Sequence, residues 1–62
     1  MNSALNETQG AKVLGVAVQT LRNWRHLRRG PAYYKIGRAV RYQLSDLIEY
    51  LERRKIDPEK FK

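Results

Sequence analysis

Residues 17–29, AVQTLRNWRHLRR, constrain the fold most, because their residue types separate onto two sides of one helix. Leu21 and Trp24 lie three residues apart, so both project from one side and can face a core. A second side carries a polar stripe at i, i+3, i+4 and i+7, formed by Gln19, Arg22, Asn23 and His26. The helix contains no acid. We therefore predict a helix that lies against an anionic partner which also presents hydrogen-bond donors and acceptors. The major groove of B-DNA fits best, because it admits an α-helix and displays a donor and acceptor code.

Charge is unevenly distributed along the 62-residue chain, whose formal net charge is +7. Residues 8–45 contain no acid and eight basic residues: Lys12, Arg22, Arg25, Arg28, Arg29, Lys35, Arg38 and Arg41. Such segregation directs a positive field at a polyanion. The alternative is a solvated basic surface that only aids solubility.

Length and composition limit the other classes of function. The chain is long enough for one small domain, and it contains no cysteine for a disulfide or a thiolate metal site. His26 alone cannot form a zinc site, so we expect no metal and no cofactor. No pair of carboxylates lines a plausible cleft and no glycine-rich phosphate loop is present, so we predict that the protein is not an enzyme. The longest apolar run, residues 13–18, is too short to span a membrane, and the N-terminus does not resemble a signal peptide. We therefore expect a cytoplasmic, nucleoid-associated protein.

Two short helices joined by a tight turn are predicted in the first half of the chain. Asn6 and Gln9 have capping-box spacing, which predicts a first helix over residues 7–14 that ends at Gly15. The second helix then follows the turn and ends at Gly30-Pro31. This order is typical of a helix-turn-helix motif.

Residues 33–42, rich in β-forming side chains on both sides of Gly37, predict a two-stranded hairpin that packs on the helices as a wing. A two-residue loop at Gly37-Arg38 would put Ile36 and Val40 on opposite faces. A three-residue loop, residues 37–39, pairs Ile36 with Val40 and collects the apolar side chains on one face, so we predict this register. It also places Lys35 opposite Arg41, an arrangement that favours a phosphate between these two cations.

A third helix is predicted to close the domain. Ser45 is its expected N-cap, with Asp46 in the first turn. Its apolar stripe at i, i+3, i+4 and i+7 is expected to cover the core, with a dimer seam as the alternative, and consists of Leu44, Leu47, Ile48 and Leu51. The predicted organisation is an N-terminal tail over residues 1–5, a DNA-binding domain over 6–55 and a flexible C-terminal tail over 56–62.

Three segments carry a resemblance to a known family: LNETQGAKVLGVAVQTLRNWR, RGPAYYKIGRAVRY and SDLIEYL. Over about residues 4–51 the chain resembles the small winged helix-turn-helix proteins of the excisionase family, which includes AlpA-like regulators, and its wing resembles that of MerR-type regulators. The predicted fold class is therefore mainly α with a small β-hairpin wing. Two residues depart from the family pattern. Ala17 stands where an N-capping Ser or Thr is frequent, and Gly10 lies inside the first helix.

The predicted binding residues fall into two groups. Gln19, Asn23 and His26 are the expected base readers, because amides pair with adenine and imidazole can donate to guanine. The expected contacts to the DNA backbone, including those from the wing, are Thr20, Arg22, Arg25, Arg28, Arg29, Lys35, Arg38 and Arg41.

The resemblance implies two functions for such a surface. One is an architectural factor that binds attachment-site DNA cooperatively, with neighbouring copies of itself, and directs a tyrosine integrase towards excision. The other is regulation of transcription. A third hypothesis, from another class, is a protein-interaction module with a basic face. The base-reading side chains disfavour it, and the narrow major groove of A-form RNA disfavours an RNA duplex as ligand.

Overall fold

A computed structural model describes residues 4–58, which form three helices and a three-stranded antiparallel sheet. In chain order the elements are β1 (Ala4–Leu5), α1 (Glu7–Leu14), α2 (Val18–His26), β2 (Tyr34–Ile36), β3 (Ala39–Gln43) and α3 (Leu44–Arg53). The sheet order is β1-β3-β2, so β3 is the central strand. The predicted fold class of three helices with a small β wing is confirmed, with one strand more than the predicted hairpin.

The additional strand, β1, lies in the segment that was predicted to be an N-terminal tail. Leu5 pairs with Tyr42 and Ala4 pairs with Gln43, and Leu5 packs against the core. That prediction is therefore wrong for Ala4 and Leu5, because their pairing with a strand almost forty residues away leaves no local signal. Residues 1–3 lie outside the described part of the chain. Of the predicted C-terminal tail, residues 56–58 are described and contain no helix or strand, whereas 59–62 lie outside it.

Helix α1 has the predicted bounds and the predicted capping box. The Gln9 backbone N–H donates to Asn6 Oδ1 at 2.8 Å, and the Asn6 N–H donates to Gln9 Oε1 at 2.9 Å. At the other end Gly15 adopts a left-handed φ of 73°, and the Val16 N–H donates to the Ala11 carbonyl at 3.0 Å. These bonds satisfy backbone groups that the ends of a helix leave unpaired.

Gly10, which weakens a helix interior, has a packing role in α1. It is buried, and a Cβ on it would lie 3.2 Å from the Tyr42 ring, where there is little room. The missing side chain therefore allows β3 to approach α1, at the helix-propensity cost of about 1 kcal/mol relative to alanine.

Helix α2 ends at His26, three residues before the predicted end at Arg29. Arg28 has a left-handed φ of 59°, its N–H donates to the Arg25 carbonyl at 3.1 Å, and the Arg29 N–H donates to the Trp24 carbonyl at 2.8 Å. This hydrogen-bond pattern closes a helix, and glycine usually occupies the left-handed position. Because arginine occupies it here, no local pattern marks the end of the helix.

Ala17, at the N-cap of α2, provides no side-chain cap. We expect Ala17→Ser to stabilise the fold by about 1 kcal/mol, because a hydroxyl there can accept a hydrogen bond from an unpaired N–H of the first turn. For a domain of this size that gain raises the midpoint of thermal unfolding by about 4–8 °C, which circular dichroism can measure. Ala32→Ser, a substitution at an exposed loop residue, is the control and should leave the midpoint unchanged. Equal midpoints for both variants would contradict the assignment of Ala17 as an uncapped N-cap.

The wing has the register that the sequence analysis rejected. Ile36 pairs with Ala39 and Lys35 pairs with Val40, across a two-residue turn in which Gly37 has a φ of 62°. Burial of Ile36 does not decide the register, because Ile36 is 64% exposed. The turn geometry sets the register instead. Arg41 consequently pairs with Tyr34, so the predicted opposition of Lys35 and Arg41 across a phosphate is wrong.

Helix α3 follows β3 without a loop and begins one residue before the predicted cap. Its N-cap is Gln43, so the assignment of Ser45 as the cap is wrong, whereas Asp46 lies in the first turn as predicted. Only Leu47 of the apolar stripe is buried in the core. The other three side chains of the stripe are exposed: Leu44 by 38%, Ile48 by 47% and Leu51 by 40%.

The core draws residues from every helix and from the central strand. Its buried members are Ala11, Leu21, Val40, Tyr42 and Leu47. Trp24 is half-buried against this cluster, which confirms its predicted role in packing, and its ring lies 5.8 Å from that of Tyr50. Because Leu21 and Trp24 fix the inner side of α2, the polar stripe is left outside.

Candidate nucleic-acid interface

The polar stripe of α2 presents three exposed side chains in a row along the helix: Gln19, Asn23 and His26. Gln19 Nε2 donates to Asn23 Oδ1 at 3.1 Å. This bond joins the two exposed amides along the helix and uses neither the Asn23 NH₂ group nor the Gln19 carbonyl oxygen. An amide NH₂ donor and an amide oxygen acceptor together can match the edge of adenine in the major groove.

A groove separates α2 from the wing and brings several of the predicted backbone-contact residues together. It is lined by Glu7, Arg22, Arg25, His26, Tyr33, Lys35, Arg38 and Val40. The observed register explains why Lys35 is here, since it shares the inner face of the wing with its partner Val40. Four of the predicted cations therefore surround one groove, together with a single acid.

That acid, Glu7 in the first turn of α1, was not predicted to lie at the interface. Arg22 Nε donates to both of its carboxylate oxygens, at 3.0 and 3.3 Å, and Arg25 Nη1 donates to Oε1 at 3.3 Å. The hydrogen bond from Arg22 lowers the pKa of Glu7 below its ordinary value, so the carboxylate is charged at neutral pH. No local pattern signals this contact, because it joins residues 15 and 18 positions apart on different helices.

Arg25 is held more firmly than Arg22. Its Nη1 also donates to the hydroxyl of the fully buried Tyr42 at 3.4 Å, and its guanidinium lies 5.8 Å from the centre of the Tyr33 ring. Burial disfavours the charged guanidinium and lowers the pKa of Arg25. The interactions with Tyr42 and with the Glu7 carboxylate outweigh burial, so the pKa of Arg25 is raised. With 20% of its side chain exposed, Arg25 links α1, α2 and β3.

The remaining predicted contacts lie around this groove. Arg28 and Arg29 line a second, shallow depression beyond the end of α2, which adjoins the groove through Arg25, His26 and Tyr33. Arg38 lies exposed in the turn of the wing, and Thr20 is half-buried in α2. Arg41 lies on the outer face of the wing, and its Nη1 donates to the Val40 carbonyl at 2.8 Å. The structure thus separates Arg41 from the other cations of the wing.

Two findings concern other kinds of site in the described residues. Within residues 4–58, no group of three or more His, Cys, Asp or Glu side chains is arranged to hold a metal ion. No helix in this part of the chain has the length and apolar character needed to cross a membrane.

Comparison with known proteins gives one finding. No curated protein and no solved structure matches the chain. A family model described as a helix-turn-helix domain matches residues 5–55, which include every helix and strand of the described fold except the first residue of β1. Members of such families bind double-stranded DNA and are typically not enzymes. The chain belongs to this family of DNA-binding helix-turn-helix domains.

Proposed function

We propose that the protein binds duplex DNA in a sequence-specific manner, with α2 in the major groove. The observation that carries the proposal is the exposed row of Gln19, Asn23 and His26 beside a basic groove. In this arrangement the three side chains read base edges, whereas cations around the groove hold phosphates and fix the register of the helix on the duplex. The proposed phosphate contacts are Thr20, Arg28, Arg29, Lys35 and Arg38, and Arg22 joins them only where a phosphate displaces Glu7 from its guanidinium.

Two of the predicted phosphate contacts, Arg25 and Arg41, are less available to DNA. Arg25 is a positioning residue, since Glu7 and Tyr42 already occupy its guanidinium. Arg41 contacts the DNA phosphates only where the duplex reaches the outer face of the wing. Arg38, in the turn between the two strands, is the wing residue best placed to enter a narrow minor groove.

We further propose that the protein is an excisionase-type architectural factor that acts on attachment-site DNA in the cytoplasm. A single module of this size buries only about 600–1,000 Å² on DNA, so useful affinity needs several copies side by side. A row of copies that bends the duplex would bring distant sites of a tyrosine integrase together and favour excision. This role needs a surface for the next copy.

The exposed part of α3 is the surface that we assign to that contact. Leu44, Ile48 and Leu51 form an apolar stripe along the helix, and none of them lines the basic groove. Glu52 lies on the same helix, and it complements the charge of Arg28 and Arg29 on a neighbouring copy. A head-to-tail contact of this kind does not close into a dimer and instead extends along the DNA.

Ile48→Gln tests this role. We expect cooperative binding to be lost on a fragment that carries several adjacent sites, while binding to a single site stays unchanged, because the substitution removes apolar contact area outside the groove. A gel-shift titration measures both, with sites first selected from a random library by the wild-type protein. Ile56→Gln is the matched control, since Ile56 is 79% exposed and lies beyond α3, and it should retain cooperativity.

The result that would contradict the architectural role is independent binding of the wild-type protein to adjacent sites on straight DNA. The reading of base edges by α2 would then stand, with AlpA-like regulation of transcription as the function.

A further inference from the structure

Glu7 is the one acid among the residues that line a basic groove. It lines the groove between α2 and the wing with Arg22, Arg25, Lys35 and Arg38. We infer that Glu7 limits the affinity of the protein for random DNA by withholding Arg22 from phosphates. The inference rests on the proposed DNA-binding function and assigns to Glu7 a role opposite to that of the surrounding cations.

The geometry of the ion pair supports this role. Arg22 Nε lies 3.0 Å from Oε1 and 3.3 Å from Oε2, so the guanidinium faces the carboxylate. The Arg22 side chain is nevertheless 47% exposed, which leaves it accessible to an incoming anion. A phosphate that approaches Arg22 must therefore compete with Glu7, and it also meets the negative charge of that carboxylate.

The two arginines bound to Glu7 differ in what holds them. Arg25 has a second partner, the hydroxyl of Tyr42, and only 20% of its side chain is exposed. Within residues 4–58, the Arg22 side chain donates hydrogen bonds only to Glu7. Removal of the carboxylate would therefore release Arg22 far more than Arg25.

The net charge explains why such a restraint matters. A domain with a formal net charge of +7 attracts any duplex, since binding to random DNA depends on the neutralisation of phosphates and the release of counterions. One carboxylate in the groove lowers the number of phosphates that a random duplex can place there. Base contacts from Gln19, Asn23 and His26 do not involve Glu7.

The test compares Glu7→Gln with Glu49→Gln on a random-sequence duplex of about 20 bp, by fluorescence anisotropy at salt concentrations from about 50 to 200 mM. Both substitutions remove one negative charge and disrupt pairing with arginine, because Glu7 pairs with Arg22 and Arg25, and Glu49 accepts from Arg53 Nη2 at 3.0 Å. Only Glu7 lies in the groove. The comparison therefore isolates position from net charge.

We expect E7Q to bind the random duplex more tightly than E49Q at the lowest salt concentration and to lose affinity more steeply as salt rises. One additional phosphate contact steepens the log–log slope by about 0.9, which adds a factor of about 3.5 to the loss of affinity over this range. E49Q should keep the slope of the wild-type protein. In the Arg22→Ala background, E7Q should no longer change the slope, because the released arginine is absent.

Equal slopes for E7Q and E49Q, or weaker binding by E7Q, would overturn the inference. Thermal unfolding of each variant shows whether it is folded at the assay temperature, and the comparison of R22A with the E7Q/R22A double variant gives a second reading if E7Q is destabilised. A flat salt dependence of the wild-type protein would instead overturn the proposed DNA-binding surface itself, so the two failures are distinguishable.

Discussion

Leu47→Ala is expected to remove most of the stability of this protein. Leu47 is completely buried, and replacement of a buried leucine with alanine costs about 2–5 kcal/mol through lost burial and the cavity left behind. A core as small as this one supplies no more than about 3–5 kcal/mol of net stability. The variant should therefore be largely unfolded near 37 °C, which urea or thermal unfolding followed by circular dichroism can establish.

Leu44→Ala is the matched control for this substitution. It removes the same atoms from the same helix, but Leu44 is 38% exposed, so less apolar surface returns to water and no enclosed cavity forms. Its loss should be well under half of that for Leu47. If both variants lost the same stability, the assignment of Leu47 as the residue that anchors α3 to the core would be wrong.

Local signals account for the parts of the fold that the sequence analysis predicted correctly. The capping box of Asn6 and Gln9 and the left-handed Gly15 act within a few residues, so both ends of α1 were readable from the sequence. The inner face of α2 was readable for a similar reason, since Leu21 and Trp24 repeat at helical spacing. These features need no knowledge of the rest of the chain.

The errors arose either at a local turn or helix end that the residue types do not mark clearly, or from pairing between distant parts of the chain. Burial of apolar side chains predicted the register of the wing, but the domain is too small to cover Ile36, and the turn at Gly37 decides instead. Likewise, β1 depends on pairing between Leu5 and Tyr42, which no local pattern encodes. The left-handed Arg28 ended α2 early without the glycine that usually signals such an end.

The candidate site shows the same division. The spacing of Gln19, Asn23 and His26 places them on one side of α2 whatever the rest of the chain does. The presence of Glu7 among the cations depends on how α1 packs against α2. In the sequence, Glu7 lies one residue before the acid-free interval of residues 8–45. A charge count along the chain therefore described the surface well but missed its one opposing charge.

Asn23→Ala is expected to weaken binding to the selected DNA site by about 1–3 kcal/mol, which corresponds to about 5- to 150-fold in affinity. Asn23 is exposed at the centre of the row, and an amide can pair with an adenine edge. Truncation removes that pairing and the hydrogen bond to Gln19, both outside the core. Binding to random DNA should hardly change, because phosphate contacts dominate it.

Lys35→Ala is the contrasting variant, because Lys35 lies in the groove as a cation without base-reading groups. It should weaken binding to the selected site and to random DNA by similar factors. It should also reduce the slope of log affinity against log salt by about one, as expected for one lost phosphate contact.

The most direct test of the account is the ratio of affinities for the selected site and for random duplex DNA, measured by fluorescence anisotropy for the wild-type protein, Asn23→Ala and Lys35→Ala. We expect this ratio to fall by about 5- to 150-fold in the Asn23 variant and to stay near the wild-type ratio in the Lys35 variant. A ratio that is unchanged by Asn23→Ala, with both DNAs bound more weakly, would contradict the assignment of α2 as the surface that reads the DNA sequence.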